Sequence, residues 1–136
     1  MPLDFLVVAD HAENLGLAPL AAAGDPTVLA TEYGRRIHDM LAAGQGVEAF
    51  DQWRASKASG IDPMGGEEGL PAAKTAWTLI TAAAEKYNSP GRFTAFIGYE
   101  WTSNTGGNNL HRNVIFRDDG SYARQVEPFT VYPPQG

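Results

Sequence analysis

The chain contains no cysteine. Disulfides and thiolate metal sites are therefore excluded, and a metal would have to be held by histidine, carboxylate or water. Histidine is scarce as well, with His11, His38 and His111 as the full complement. No run approaches the roughly 20 apolar residues of a membrane-spanning helix. Lysine and arginine total 10 against 16 acidic residues, a net charge of −6. The basic residues are not clustered, so neither a nucleic acid nor a membrane surface is expected as a partner. An acidic chain that takes an anionic substrate needs positive charge at one point, and a metal can supply it. No basic leader or small-residue cleavage site follows Met1, so no signal peptide is expected, and the compartment stays open.

A chain of 136 residues with 43% hydrophobic content suits one domain. Its informative stretch is Phe93–Arg117, FTAFIGYEWTSNTGGNNLHRNVIFR. Phe93–Tyr99 is almost all apolar, aromatic or branched, the composition of a strand covered on both faces. It ends in Glu100. The loop Thr102–Asn109 carries Gly106, Gly107 and three asparagines, which accept positive φ. A second strand opens at His111 and runs through Asn113, Val114, Ile115 and Phe116. Antiparallel pairing would set Glu100 and His111 facing each other across the hairpin mouth. A carboxylate and an imidazole at one sheet edge suit a divalent metal.

Leu3–Ala9 reads as a buried strand ending in Asp10-His11. Polar residues at the C-terminal tip of a buried strand are where α/β folds place their chemistry, and a plain polar turn accounts for the same residues. Leu15–Gly24 reads as loop or a short helical turn. Asp25-Pro26 is a helix start, with a helix expected from Pro26 to about Ala43. His38 reads as a surface or helix-end histidine. A second helix is expected over Gly46–Ser59, a charged loop over Gly60–Pro71, and a third helix over Ala72–Tyr87. Asp118–Ser121 is a turn signal, Tyr122–Val131 reads as extended, and Tyr132-Pro133-Pro134 breaks it. The order is strand, some 80 residues of mostly helix, strand, loop, strand, an α/β arrangement with one long connection. The chain starts abruptly in a strand and stops without a capping element, so it reads as a piece of something longer.

Three phrases now stand together: Ala9-Asp10-His11 in DHAENLG, Gly98-Tyr99-Glu100 in GYEWT, and His111 in HRNVIFR. In order and spacing they resemble the polymerase-and-histidinol-phosphatase (PHP) superfamily, and in wording its branch known as domain-of-unknown-function family 3604. The resemblance implies a partial distorted (β/α)7 barrel, about strands 2 to 4, with residues 15–88 as a helical insertion in a single domain over 1–136. It implies a hydrolase, phosphoesterase-like, that uses two or three divalent ions (Zn, Mn or Fe) and a small-molecule substrate such as a phosphate ester. Glu100 would bridge two metals as the catalytic pivot, and His11 and His111 would each bind one. Asp10 would orient a ligand from behind. Arg112 and Asn113 are placed near the substrate by proximity and chemistry alone. The family's N-terminal His-x-His motif, a further His and its later Asp-x-His pair have no counterpart, so the remainder of the barrel is an expected partner and this piece alone is expected to be inactive. Two other readings compete: a non-catalytic module that recruits a partner through 15–88, and a metal-independent hydrolase with Glu67 and Glu100 as paired carboxylates.

Overall fold

The computed structural model describes residues 3–132. The expected break at Pro133 and Pro134 lies outside them. The chain runs β1 (Phe5–Val7), α1 (Leu17–Ala22), α2 (Pro26–Leu29), α3 (Glu32–Ala42), α4 (Gly46–Ser59), α5 (Gly66–Tyr87), β2 (Thr94–Ser103), a single 3₁₀ turn (Thr105–Gly107), β3 (Leu110–Phe116) and α6 (Gly120–Ala123). This is a mixed α/β structure. Its three-stranded sheet has the order β1-β2-β3, β1 parallel to β2 and β2 antiparallel to β3. Parallel strands need a crossover, and α1 to α5 supply it.

Alternation along the central strand decides which face is covered. Ile97, Tyr99 and Trp101, with Val114 and Phe116 from β3, turn to the side where α5 packs. Trp77 of α5 is 2% exposed; its ring meets Tyr99 edge-on at 5.8 Å, and its Nε1 donates to the Ala123 carbonyl at 2.9 Å. Truncating a side chain buried this deeply costs about 3–5 kcal/mol. The other face carries Gly98, Glu100, His111 and Asn113. The expectation that the strands are covered on both sides is thus corrected. Leu3, Phe5, Leu6 and Val8 are exposed, as is Ile115 on β3, because β1 is an edge strand and α5 shields one face only. Apolar composition marks a strand but not how many layers lie over it.

The helices differ from expectation where local chemistry interrupts them. The single helix foreseen over 26–43 is two, broken at Ala30-Thr31. Thr31 caps α3 by accepting from the Gly34 amide at 2.9 Å, and its hydroxyl donates to the Val28 carbonyl. Asp25 caps α2 by accepting from Thr27 N, with Pro26 in the first turn, as the sequence indicates. α4 occupies Gly46–Ser59 as expected. The loop Gly60–Pro71 is shorter than foreseen, since α5 begins at Gly66 and holds Pro71 inside its second turn. Glu67 and Glu68 lie in the first turn of α5, where negative charge complements the helix N-terminus. Leu17–Ala22 is a full short helix, and the extended segment expected over 122–131 begins instead as α6, capped by Asp119. His38 is neither a surface nor a helix-end residue. It is half-buried, and its Nδ1 lies 2.6 Å from the Ala21 carbonyl, tying α3 to α1.

Two apolar clusters meet along α5. One is helical, built on Leu17, Leu20, Val28, Tyr33, Ile37, Ala72 and Ala76; the other joins Trp77 to the sheet and α6. Ala76 and Trp77 are neighbours that serve opposite clusters, so α5 fixes the helical block against the sheet. The α2–α3 corner is tight. A Cβ on Gly34 would drive into the Val28 carbonyl oxygen and come within 2.7 Å of Val28 Cγ1. Gly34→Ala is therefore expected to destabilise the protein by about 2 kcal/mol or more, the cost of overpacking against unyielding backbone. A lowered urea midpoint at unchanged slope is the expected result.

Candidate metal centre

The site begins with backbone. The regular β1 ladder ends at Val7, yet the chain returns to β2 for one further parallel bridge, His11 against Glu100. The Glu100 amide donates to the Asp10 carbonyl at 2.8 Å and the Ala12 amide donates to the Glu100 carbonyl at 3.0 Å. These bonds straddle His11, and directly paired residues put their side chains on one face. Both backbone groups of Glu100 are thereby spent on the β1 side. Its partner across β3, Asn113, is then a non-hydrogen-bonded pair, the closer-spaced kind. His111 pairs with Thr102, so the expected face-to-face register of Glu100 and His111 is corrected to a diagonal one on the same face. A diagonal neighbour is still within reach of long side chains.

The Glu100 carboxylate divides itself between two imidazoles. Oε2 lies 2.5 Å from His11 Nδ1, and Oε1 lies 3.0 Å from His111 Nδ1. The two rings are 5.9 Å apart, centroid to centroid. One ligand atom from each of the three residues lies within 4.8 Å of the others. Glu100 is mostly shielded, and the two histidines are about half-open to solvent. His11 Nδ1 is itself buried, between Glu100 Oε2 at 2.5 Å and Glu13 Oε2 at 3.7 Å. A buried imidazole nitrogen beside a carboxylate and a second imidazole is a donor set that fits a divalent cation. His11, Glu100 and His111 could hold a metal ion. The cofactor choices Zn, Mn and Fe all accept this donor set.

Residues around the three complete the setting. Thr102 is buried, and its hydroxyl lies 3.1 Å from His111 Nδ1; the Asn109 amide lies 3.0 Å from Nε2. An amide end turns readily, and with its oxygen accepting from Nε2–H the Nδ1 lone pair is left toward Glu100. Glu13 is 2% exposed. Its Oε1 accepts from the Val131 amide at 2.7 Å, and its Oε2 lies 3.7 Å from both His11 Nδ1 and Lys57 Nζ. Trp53 of α4 donates from Nε1 to the Glu13 carbonyl at 3.3 Å, and its ring stands 5.9 Å from that of His11. Ser56 and Tyr132 share a hydrogen bond at 2.8 Å, and burial pushes the Tyr132 phenol above its ordinary pKa. Burial likewise raises the Asp62 carboxyl.

Of the residues singled out from sequence, His11, Glu100 and His111 are brought together. Asn113 lies opposite Glu100 on the same face. Asp10 contributes its carbonyl to the bridge, while its exposed side chain makes no hydrogen bond among the described residues. Arg112 pairs with Trp101 on the other face and stacks over that ring at 4.5 Å. Glu13, Thr102, Asn109, Trp53 and Lys57 were not foreseen. A signal for three of them was present, because Glu13, Thr102 and Asn109 each stand two positions from a proposed ligand; for Thr102 in β2 that spacing returns the strand to the same face, while Glu13 and Asn109 lie in the adjoining connections. Trp53 and Lys57 come from α4, a helix some 30 or more positions from either strand phrase, and nothing local marks them.

Glu13 ties the C-terminal segment to the site. Glu13→Ala is expected to cost about 2 kcal/mol, the worth of a hydrogen bond to a charged acceptor. It should also speed amide exchange at Val131, where the lost acceptor leaves the N–H open. Unchanged protection at Val131 would rule out the tie.

No curated protein and no solved structure matches the chain. The profile of a family described as "Protein of unknown function (DUF3604)" matches residues 1–135, nearly the whole chain. The sequence phrases around His11, Glu100 and His111 all lie inside that match, and the chain belongs to this family.

Proposed function

We propose that the protein is part of a metal-dependent hydrolase of phosphoesterase type. The observation that carries this reading is the meeting of His11, Glu100 and His111, two of them about a hundred positions apart, with one ligand atom each inside 4.8 Å. The resemblance to the PHP superfamily supports the same class. On this reading the three-stranded sheet is part of a larger distorted barrel, and its open face, which carries the cluster, looks into the cleft. Further strands would add ligands to the three present.

A divalent ion held here would supply Lewis acidity, activating water near neutral pH and stabilising charge on a substrate oxyanion. The chain's own residues set that up. Glu100 offers one oxygen toward each imidazole and so is the natural bridge. Thr102 and Asn109 fix the His111 ring, and the bridge at Asp10 and Ala12 fixes His11. Asn113, level with Glu100, offers an amide to a substrate oxygen.

Titration with Mn²⁺ or Zn²⁺ tests the reading. Removing a ligand from a small donor set weakens binding steeply, so Glu100→Ala, His11→Ala and His111→Ala should each lower affinity by about tenfold or more. In the longer protein that the reading implies, Glu100→Ala should abolish hydrolysis of p-nitrophenyl phosphate while the circular-dichroism spectrum is kept. Metal affinity in the three variants equal to that of the unaltered protein, or undiminished hydrolysis, would overturn it. The rival reading, a binding module that recruits a partner through residues 15–88, draws on the exposed Val47 and Phe50 of α4. Tight association through α4 with no metal bound would favour it.

A further inference from the structure

We infer that Lys57, with Trp53 beneath it, forms the anion-holding arm of a substrate subsite next to the metal cluster. The occupant is a small phosphate ester with a flat or apolar organic part. The inference rests on the reading above and adds a residue and a substrate class to it. An open cleft of about 420 Å³ runs between α4 and the β2–β3 hairpin. Phe50, Trp53, Arg54 and Lys57 line it from the helix, and Thr102 and Asn109 line it from the hairpin. The last two are the residues that touch His111, so the cleft opens directly beside the cluster.

Lys57 is unusual in this chain. Its side chain is only 22% exposed, and its Nζ lies over the Trp53 ring at 5.0 Å. The nearest carboxylate oxygen, Glu13 Oε2, is 3.7 Å away, beyond hydrogen-bond length, and Nζ donates no hydrogen bond among the described residues. The ion pair to Glu13 offsets the ammonium's charge, while its three N–H donors stay available to a ligand in the cleft. The same Glu13 oxygen is 3.7 Å from His11 Nδ1, so the Lys57 ammonium, which pairs with Glu13, and the proposed metal ligand share one carboxylate neighbour. An anion in the cleft, clear of the Glu13 carboxylate, would meet Lys57 from the helix and a cation held at the cluster beside Thr102 and Asn109, two positive charges that would offset the net charge of −6. Packing on the indole holds the lysine stem in place before the ligand arrives. Phe50 and Trp53, with ring centroids 5.3 Å apart, give an aromatic wall for the organic part.

Calorimetry on the protein, first with Mn²⁺ and then with inorganic phosphate and phenyl phosphate, separates the possibilities. Lys57→Met should leave Mn²⁺ affinity within about twofold and weaken phosphate about tenfold or more, as expected for a lost charge-assisted hydrogen bond. Lys57→Arg should restore most of the loss. Phenyl phosphate should bind more tightly than inorganic phosphate, and Phe50→Ala should narrow that gap. If Lys57→Met fails to fold because Glu13 loses its counter-charge, the double variant Lys57→Met/Glu13→Gln removes both charges and carries the same expectation. Mn²⁺ bound normally, with phosphate affinity equal in Lys57→Met and the unaltered protein, overturns the inference and leaves the metal reading standing. If the unaltered protein takes up no Mn²⁺, the metal reading falls. The arm is then judged by phosphate quenching of indole fluorescence: quenching that Lys57→Met removes keeps it, and quenching that is absent or unaltered removes it.

Discussion

Two backbone hydrogen bonds hold the site in place, the Glu100 amide to Asp10 and the Ala12 amide to Glu100. Without them the chain would leave the sheet at Val7, and His11 would ride on a loop. With them His11 is a register partner of Glu100, and its side chain has to emerge on the same face. Each such bond adds only about 1 kcal/mol net. Their value lies in direction, because a two-residue period leaves the histidine no other side of the sheet. Gly98 helps, since a Cβ there would come within 2.6 Å of Val7 Cγ2 and hold the two strands apart just before the bridge.

The rest of the molecule makes that pairing hold. A parallel pair needs its crossover, and five helices over 17–87 supply it. α5 contributes Trp77 to the sheet and Ala76 to the helical block on consecutive positions, so the block cannot shift without disturbing the strand that bears Glu100. α4 reaches the other end of the site through Trp53 and the Glu13 carbonyl, and Glu13 in turn holds Val131. Four separated stretches therefore converge on the residues around His11, and only two of them are strands.

How much of this the sequence disclosed follows from the range of each interaction. Strand β3, the helix over 46–59 and the cap at Asp25 are written in neighbouring residues and stand where pattern and turn chemistry put them. Strand β2, by contrast, runs on to Ser103 into the expected loop, and Asp119 caps a short helix where a turn and an extended segment were expected. The three cluster residues were legible because each ends or opens an apolar run. The break at Thr31 was hidden because threonine in an otherwise helical stripe looks neutral until its hydroxyl finds Gly34. The start of α5 was hidden behind Gly66, Gly69 and Pro71, which read as loop. There the packing of Ala72 and Ala76, with acidic charge in the first turn, outweighs poor local propensity. The diagonal register of His111 depends on the length of the turn between the strands, which composition does not fix. Glu13 stands two positions from His11, but its ties to Lys57 and Val131 span 44 and 118 positions, and those, like Lys57 itself, leave no local trace.

Those two unforeseen residues change the electrostatics of the site. Glu13 and Glu100 place two carboxylates around His11 Nδ1, one of them wholly out of solvent. Repulsion between them has to be offset, and the structure has two ways to do it. Lys57 stands near one carboxylate without bonding it, and a cation between the imidazoles would neutralise the other. Lys57 Nζ keeps 3.7 Å from Glu13 Oε2, within ion-pair but beyond hydrogen-bond distance. That it stays over the Trp53 ring instead, facing an open cleft, is what an ammonium would do if its donors were wanted elsewhere. On the reading proposed above, an acidic chain would receive an anion where its fixed negative charge is offset, and the cleft beside His111, with Lys57 on its wall, is the place proposed.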